Sequence, residues 1–163
     1  MKDGKLWICT SHGIYIADTE TLGIEKLTVH SRWTWDVAEW RDGSLLSANA
    51  GGGFYYENPK TNQAIRYVHD PKNPKSIGPK YFSWRILVDK SDRVWLGTTG
   101  GLELVTLQDS SFTHVVPNLI VRDLLLESDG KILIGSGTGL FEFEPTTGSI
   151  DTIATGVFVN KVS

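Results

Sequence analysis

The chain has a single cysteine, Cys9, among its 163 residues, and it has no long apolar run. One cysteine excludes an intrachain disulfide and a multi-cysteine metal site. No apolar stretch approaches the roughly 18 residues that a membrane-spanning helix needs, so we expect no membrane contact by this chain. The N-terminal residues also lack the apolar core of a signal peptide.

Neither sign of charge dominates, because 16 Lys and Arg residues stand against 19 Asp and Glu residues, for a net charge of −3. This balance offers no basic surface for nucleic acid or for an anionic membrane. No histidine–acid cluster, nucleophile elbow or phosphate-binding loop is visible, and the histidines are scattered. We therefore expect no catalytic residue, no metal and no cofactor. The four histidines are His12, His30, His69 and His114.

What the chain does have is a repeat. Four times, a charged turn leads into a short apolar strand, a loop of small residues that ends in glycine, and a second apolar strand. The closing glycines, Gly13, Gly53, Gly101 and Gly139, lie roughly 40–50 residues apart, which is typical of a β-propeller. No segment has a helical period. We predict an all-β protein, a β-propeller of four-stranded antiparallel blades with about four blades present.

The repeat divides residues 1–163 into one propeller segment, with a first blade that lacks its innermost strand. The predicted units are a partial blade at 3–30, blades at 33–70, 81–116 and 120–155, and an innermost-type strand at 157–163. That last strand could close the first blade into a four-bladed ring. We favour the alternative that the chain is part of a larger propeller, and a third possibility is that two half-rings assemble through unpaired blade edges.

The third copy of the repeat carries a family resemblance. Residues 94–104, Val-Trp-Leu-Gly-Thr-Thr-Gly-Gly-Leu-Glu-Leu, resemble the core of the two-component regulator propeller repeat, and residues 69–77 resemble that family's linker between blades. The copies at 6–10 and 132–136 are weaker, and the copy at 45–49 is the most divergent. The resemblance implies a non-enzymatic sensory segment on the periplasmic or extracellular side of a bacterial membrane. The remaining blades and the kinase would be parts of a membrane-anchored parent protein outside this chain.

Alignment of the innermost strands by their turns predicts a ligand site at the mouth of the central channel, where loops from several blades converge. Tryptophan rings can stack on sugar faces, and charged or amide groups can bond hydroxyls or an acidic group, so we predict a carbohydrate or another polar small molecule as ligand. The alternative is that the tryptophans only wedge between blades and the charges pair with one another. The equivalent positions hold Trp35, Trp84, Arg122 and Asn160, followed by Asp36, Arg85, Asp123 and Lys161, and preceded by Trp33, Tyr81 and Phe82.

Other residues of the repeat have a structural interpretation. Trp7 and Trp95 occupy a motif position where Leu46 and Leu133 stand in the other copies, which predicts packing between blades. Cys9 stands where other copies have glycine, and we expect it to be a buried small residue. Two further functions remain open, namely a lyase or hydrolase on a propeller fold, and a scaffold for protein partners.

Overall fold

The computed structural model describes residues 5–27, 33–51, 53–58, 60–79 and 82–163. Within these ranges the chain forms fifteen β-strands and no helix, arranged as four antiparallel sheets in which consecutive strands are neighbours. None of the described residues therefore belongs to a helix that could span a membrane. The all-β propeller prediction is confirmed: three sheets have four strands each, and the first has three.

The strands follow the repeat. The first blade contains β1 (Lys5–Thr10), β2 (Gly13–Asp18) and β3 (Ile24–Lys26). The second contains β4 (Thr34–Glu39), β5 (Leu45–Asn49), β6 (Gly53–Asn58) and β7 (Gln63–Tyr67). The third contains β8 (Ser83–Val88), β9 (Val94–Thr98), β10 (Gly101–Thr106) and β11 (Ser111–Pro117). The fourth contains β12 (Val121–Leu126), β13 (Ile132–Ser136), β14 (Gly139–Glu144) and β15 (Ser149–Thr155).

The blades pack face to face in chain order, with β1 against β4, β4 against β8 and β8 against β12. The last two of these interfaces each have an apolar core. Leu46, Phe54 and Leu96 lie in the cluster between the second and third blades. Trp95 and Phe143 lie in the cluster between the third and fourth blades, in an edge-to-face contact with centroids 5.4 Å apart. Both faces of β9 are thus buried, which explains its continuous apolar run.

Of the two tryptophans expected to pack between blades, Trp95 is 2% exposed, whereas Trp7 is only half-buried. In the third blade, a steric constraint explains why the motif has glycine at position 97. A Cβ at Gly97 would lie 2.6 Å from Cγ1 of Val121, on the innermost strand of the next blade. A larger residue here would force the two blades apart, so glycine allows them to approach closely.

Residues 157–163, expected to be an innermost strand, form no strand in the structure, and β1 remains at an edge of its sheet. The segment therefore does not close the first blade. It still lies against the fourth blade as an innermost strand would. The amide of Val162 donates to Asp123 Oδ2 at 2.9 Å, as the amide of Ile86 donates to Asp36 Oδ2 at 2.8 Å. The amide of Val159 also donates to the carbonyl oxygen of Ser136, the last residue of β13, at 2.9 Å. The segment forms no ladder with a described strand, so its backbone takes the position of an innermost strand without regular pairing.

Candidate ligand-binding face

The three innermost strands share a β-bulge at the same place. In β4, Thr34 pairs with Asn49 and Asp36 with Ala48, so that Trp35 is the extra residue. Trp84 in β8 and Arg122 in β12 are the extra residues of the corresponding bulges. A bulge bends the strand and redirects the side chain of the extra residue. The three positions that alignment placed together are therefore structurally equivalent, and the bulge itself was not predicted.

Aromatic side chains at and before the bulges form a continuous row across the second and third blades. Trp33 stacks on Trp35 with centroids 5.6 Å apart, and Trp35 meets Trp84 at 5.0 Å with the planes tilted by 44°. Phe82 stacks on Trp84 at 5.5 Å. These contacts hold the rings in fixed relative positions, each pair contributing about 0.5–1.5 kcal/mol beyond its buried area.

The residue two positions before each bulge is apolar and exposed in every repeat that has an innermost strand. Trp33 is 56% exposed, Phe82 40% and Ile120 38%, and Phe158 at the corresponding position of the C-terminal segment is 63% exposed. Phe158 was missed in the sequence, although its spacing of two residues before Asn160 repeats the spacing of Trp33 from Trp35. Exposed large apolar side chains in one patch are uncommon on a soluble surface unless the patch binds something.

Arg122 lies between two of these rings. Its guanidinium carbon is 4.7 Å from the centroid of Trp84 and 5.1 Å from that of Phe158. Within the described part of the chain, Nε of Arg122 and Nε1 of Trp84 are both shielded from solvent and have no hydrogen-bond acceptor. We call the six clustered residues the aromatic face: Trp33, Trp35, Phe82, Trp84, Arg122 and Phe158.

The charged residues beside the bulges pair with one another, as the alternative interpretation anticipated. The guanidinium of Arg85 lies between two carboxylates, 3.4 Å from Asp36 Oδ1 and 2.8 Å from Asp123 Oδ1. The second oxygen of each carboxylate accepts the backbone amide of Ile86 or Val162, described above. Burial raises the pKa of the Asp36 carboxyl, although the Ile86 amide and Arg85 act in the opposite direction. In this structure Asp36, Arg85 and Asp123 tie neighbouring blades together.

Of the remaining residues, some are exposed and others lie outside the residues that the structure describes. Asn160 and Lys161 are exposed on the C-terminal segment. Tyr81 and His30 lie outside the described residues. No group of three or more His, Cys, Asp or Glu side chains among the residues that are described could hold a metal ion.

Two cavities lie away from the aromatic face. One, of about 320 Å³, lies between the second and third blades and is lined in part by Trp40, Tyr67 and Leu107. The other, of about 180 Å³, contains Glu103, whose Oε1 accepts the amide of Gly78 at 2.9 Å and whose Oε2 lies 3.5 Å from Nδ1 of His114. Burial raises the pKa of the Glu103 carboxyl. Neither cavity was predicted from the sequence.

No protein-family model and no curated protein matches the chain. Solved structures do match it. The extracellular domain of a protein described as a hybrid two-component system from B. thetaiotaomicron aligns at 21% identity with a TM-score of 0.78, over 98% of this chain and 21% of that one. A second such domain from the same organism aligns at 17% identity with a TM-score of 0.72, over 94% of this chain and 21% of that one.

A streptogramin B lyase structure also aligns, at 10% identity with a TM-score of 0.74, over 96% of this chain and 53% of that one. At these identities the similarities show the fold, which is that of the β-propellers. The chain spans about a fifth of the length of the two sensor domains and about half of the lyase.

Proposed function

We propose that this chain is a sensory segment of a bacterial two-component system, and that it binds a carbohydrate on the aromatic face. The sensory part is supported by the family resemblance of the repeats and by the similarity to extracellular domains of hybrid two-component systems. The segment would then lie on the periplasmic or extracellular side of the membrane and act through a kinase outside this chain.

The observation that carries the carbohydrate part is the exposed aromatic row held at successive bulges. Trp33 and Trp35 remain 56% and 40% exposed although they stack on each other. Aromatic rings present a flat apolar surface with a negative π face, which suits the C–H-rich faces of sugar rings. Because the rings are fixed by one another and by the bulges, little side-chain entropy is lost when a ligand lies on them.

The lyase similarity leaves enzymatic function as the alternative on fold alone. The chemistry of the aromatic face favours binding. Its neighbouring carboxylates, Asp36 and Asp123, already form ion pairs with Arg85 and accept hydrogen bonds from backbone amides. A general acid or base needs a titratable group within reach of the ligand. We propose accordingly that the segment is not catalytic.

The binding proposal is tested by replacing Trp35 with alanine and measuring oligosaccharide affinity by titration calorimetry, after a glycan screen has identified a binder. Truncation of a central aromatic contact costs about 2 kcal/mol or more, which is roughly a 30-fold loss of affinity. Trp40→Ala is the matched control, because Trp40 lines the cavity between blades and is not part of the aromatic face. The carbohydrate proposal fails if no oligosaccharide binds, or if both variants lose affinity equally.

The sensory part of the proposal is tested separately, by the sequence of the parent gene. The proposal expects the reading frame of the parent protein to encode a membrane-spanning helix and a kinase. A complete parent gene without either would contradict it, whatever the aromatic face binds.

A further inference from the structure

We propose that the ligand of the aromatic face carries an oxyanion, a carboxylate or sulfate group on an oligosaccharide, and that Arg122 pairs with it. This inference rests on the proposed carbohydrate function and narrows it to acidic sugars. Two arginines on adjacent innermost strands have different surroundings. Arg85 lies between two carboxylates, whereas Arg122 lies between two aromatic rings.

No hydrogen bond or ion pair joins Arg122 to any residue that the structure describes. The rings of Trp84 and Phe158 give it cation–π contacts but no acceptor. A guanidinium carries five N–H donors in a planar fork, and this fork matches the two oxygens of a carboxylate or sulfate. Since Nε is shielded from solvent, an incoming oxyanion would pair with the terminal nitrogens.

The neighbouring carboxylates do not supply this anion. Asp123, the residue after Arg122, forms an ion pair with Arg85 and accepts the amide of Val162. Asp36 is occupied in the same way by Arg85 and the amide of Ile86. Both acids are thus used within the fold, and Arg122 keeps an unmatched positive charge.

The charged residues beside the aromatic face also favour a negatively charged ligand. We count the charges at the three bulge positions, at the matching position 160, and at the residue after each. These positions carry three cations, Arg85, Arg122 and Lys161, and two anions, Asp36 and Asp123. The whole chain, in contrast, has a net charge of −3. A local excess of positive charge is complementary to a negatively charged ligand.

The inference is tested with three probes of equal length: an oligogalacturonate, which carries carboxylates, a sulfated galactan oligomer, and a neutral galactan oligomer. Affinities for the unaltered chain, Arg122→Gln and Arg122→Lys are measured by calorimetry at low and high salt. We expect at least one acidic probe to bind about 10- to 100-fold more tightly than the neutral one. Arg122→Gln should remove that preference, and Arg122→Lys should retain part of it because it keeps the charge but loses the fork.

Arg41→Gln is the matched control. The guanidinium carbon of Arg41 also lies 4.7 Å from a tryptophan centroid, that of Trp40, but it pairs with Asp92 at 3.5 Å. This variant should leave the preference for acidic probes unchanged. Thermal unfolding of each variant establishes that it is folded, and the salt dependence of the unaltered chain tests the charge without any substitution.

The outcomes separate the two proposals. If the neutral oligomer binds as tightly as both acidic ones, and Trp35→Ala weakens its binding, the carbohydrate proposal holds and the acidic-ligand inference is wrong. If no probe and no glycan binds, both are wrong. If an acidic probe binds but Arg122→Gln leaves its affinity unchanged, Arg122 is not the residue that pairs with the oxyanion. Comparison of the two acidic probes shows whether the group is a carboxylate or a sulfate.

Discussion

Asp89 gives the sharpest stability prediction, because its carboxylate accepts four hydrogen bonds while its side chain is only 2% exposed. Oδ1 accepts the amides of Ser91 at 2.8 Å and Arg93 at 3.0 Å. Oδ2 accepts Nε of Arg93 at 2.6 Å and the indole Nε1 of Trp95 at 2.9 Å. One carboxylate therefore closes the turn between β8 and β9 and fixes the largest side chain in the core between the third and fourth blades.

The perturbation is Asp89→Asn, which keeps the size and removes the charge. The amide oxygen of asparagine can still accept the two backbone amides. Its NH₂ group would then face two donors, on Arg93 and Trp95, and both would lose their acceptor. Each hydrogen bond to a charged group contributes about 1.5–3 kcal/mol, and breaking a buried ion pair costs about 3–5 kcal/mol. We expect a loss of about 3–5 kcal/mol in the free energy of unfolding, a fall in melting temperature of roughly 10 °C.

The assay is urea and thermal unfolding of both proteins at neutral pH. Asp129→Asn is the control, because Asp129 lies in the corresponding turn of the fourth blade but is exposed, and accepts the amide of Lys131 at 3.2 Å. Its substitution should cost less than about 0.5 kcal/mol. A loss below about 1 kcal/mol for Asp89→Asn, or equal losses for both variants, would refute the reasoning.

The pH dependence gives a second check. Burial alone would raise the pKa of Asp89, but the hydrogen bonds from Trp95 and Arg93 outweigh it and hold the pKa below its ordinary value. The resulting stabilisation is present above the ordinary carboxyl pKa and is lost as the pH falls through the lower folded value. The unaltered chain and Asp89→Asn should therefore converge in stability as the solution is acidified.

Two further predictions concern titratable groups, Cys9, which is half-buried and not fully buried as expected, and Glu103, which is buried. Burial and then Asp36 raise the pKa of the Cys9 thiol from 9.0 to about 11, so a disulfide reagent should react about 100-fold more slowly than with the urea-unfolded chain; equal rates would contradict this. The raised pKa of Glu103 gives stability that is present below the ordinary glutamate pKa and lost as the pH rises through the folded value. Relative to Glu103→Gln, the unaltered chain should lose unfolding free energy as the pH rises above the ordinary glutamate pKa, and parallel profiles would contradict this.

The fold could be predicted because every repeat carries the same turn and glycine signals. The repeat predicts a strand at 94–97, and β9 is Val94–Thr98. It also predicts strands at 35–40 and 64–69, and agreement is less close there because the backbone departs from regular pairing. The first of these is Thr34–Glu39, which contains a bulge, and the second ends at Tyr67. Beyond it, His69 Nδ1 lies 2.9 Å from the carbonyl oxygen of Ile77, within the linker to the third blade.

The candidate face was only partly predictable. Counting back from the turns was enough to bring Trp35, Trp84 and Arg122 into register, because the three innermost strands have the same length. Pairing of the charges with one another was one of two alternatives, and the sequence could not decide between them, since the position of Arg85 between Asp36 and Asp123 depends on how three blades pack against one another. The cavity at Glu103 depends likewise on the path of the linker, which brings the amide of Gly78 to the carboxylate.

The bulge separates the residues that pair across blades from those of the aromatic face. Directly after the extra residue, Asp36 and Asp123 accept a backbone amide from the neighbouring innermost strand or C-terminal segment. The extra residue itself, Trp35 or Arg122, adds no backbone pair to the ladder. A substitution at the extra residue should therefore leave the ion pairs and backbone hydrogen bonds between blades in place and remove only its ring contacts, such as that of Trp35 with Trp84. A substitution one position later should break the ion pairs and backbone hydrogen bonds themselves. This difference makes the Trp35 and Arg122 variants suitable tests of the proposed binding, provided that their unfolding is measured alongside.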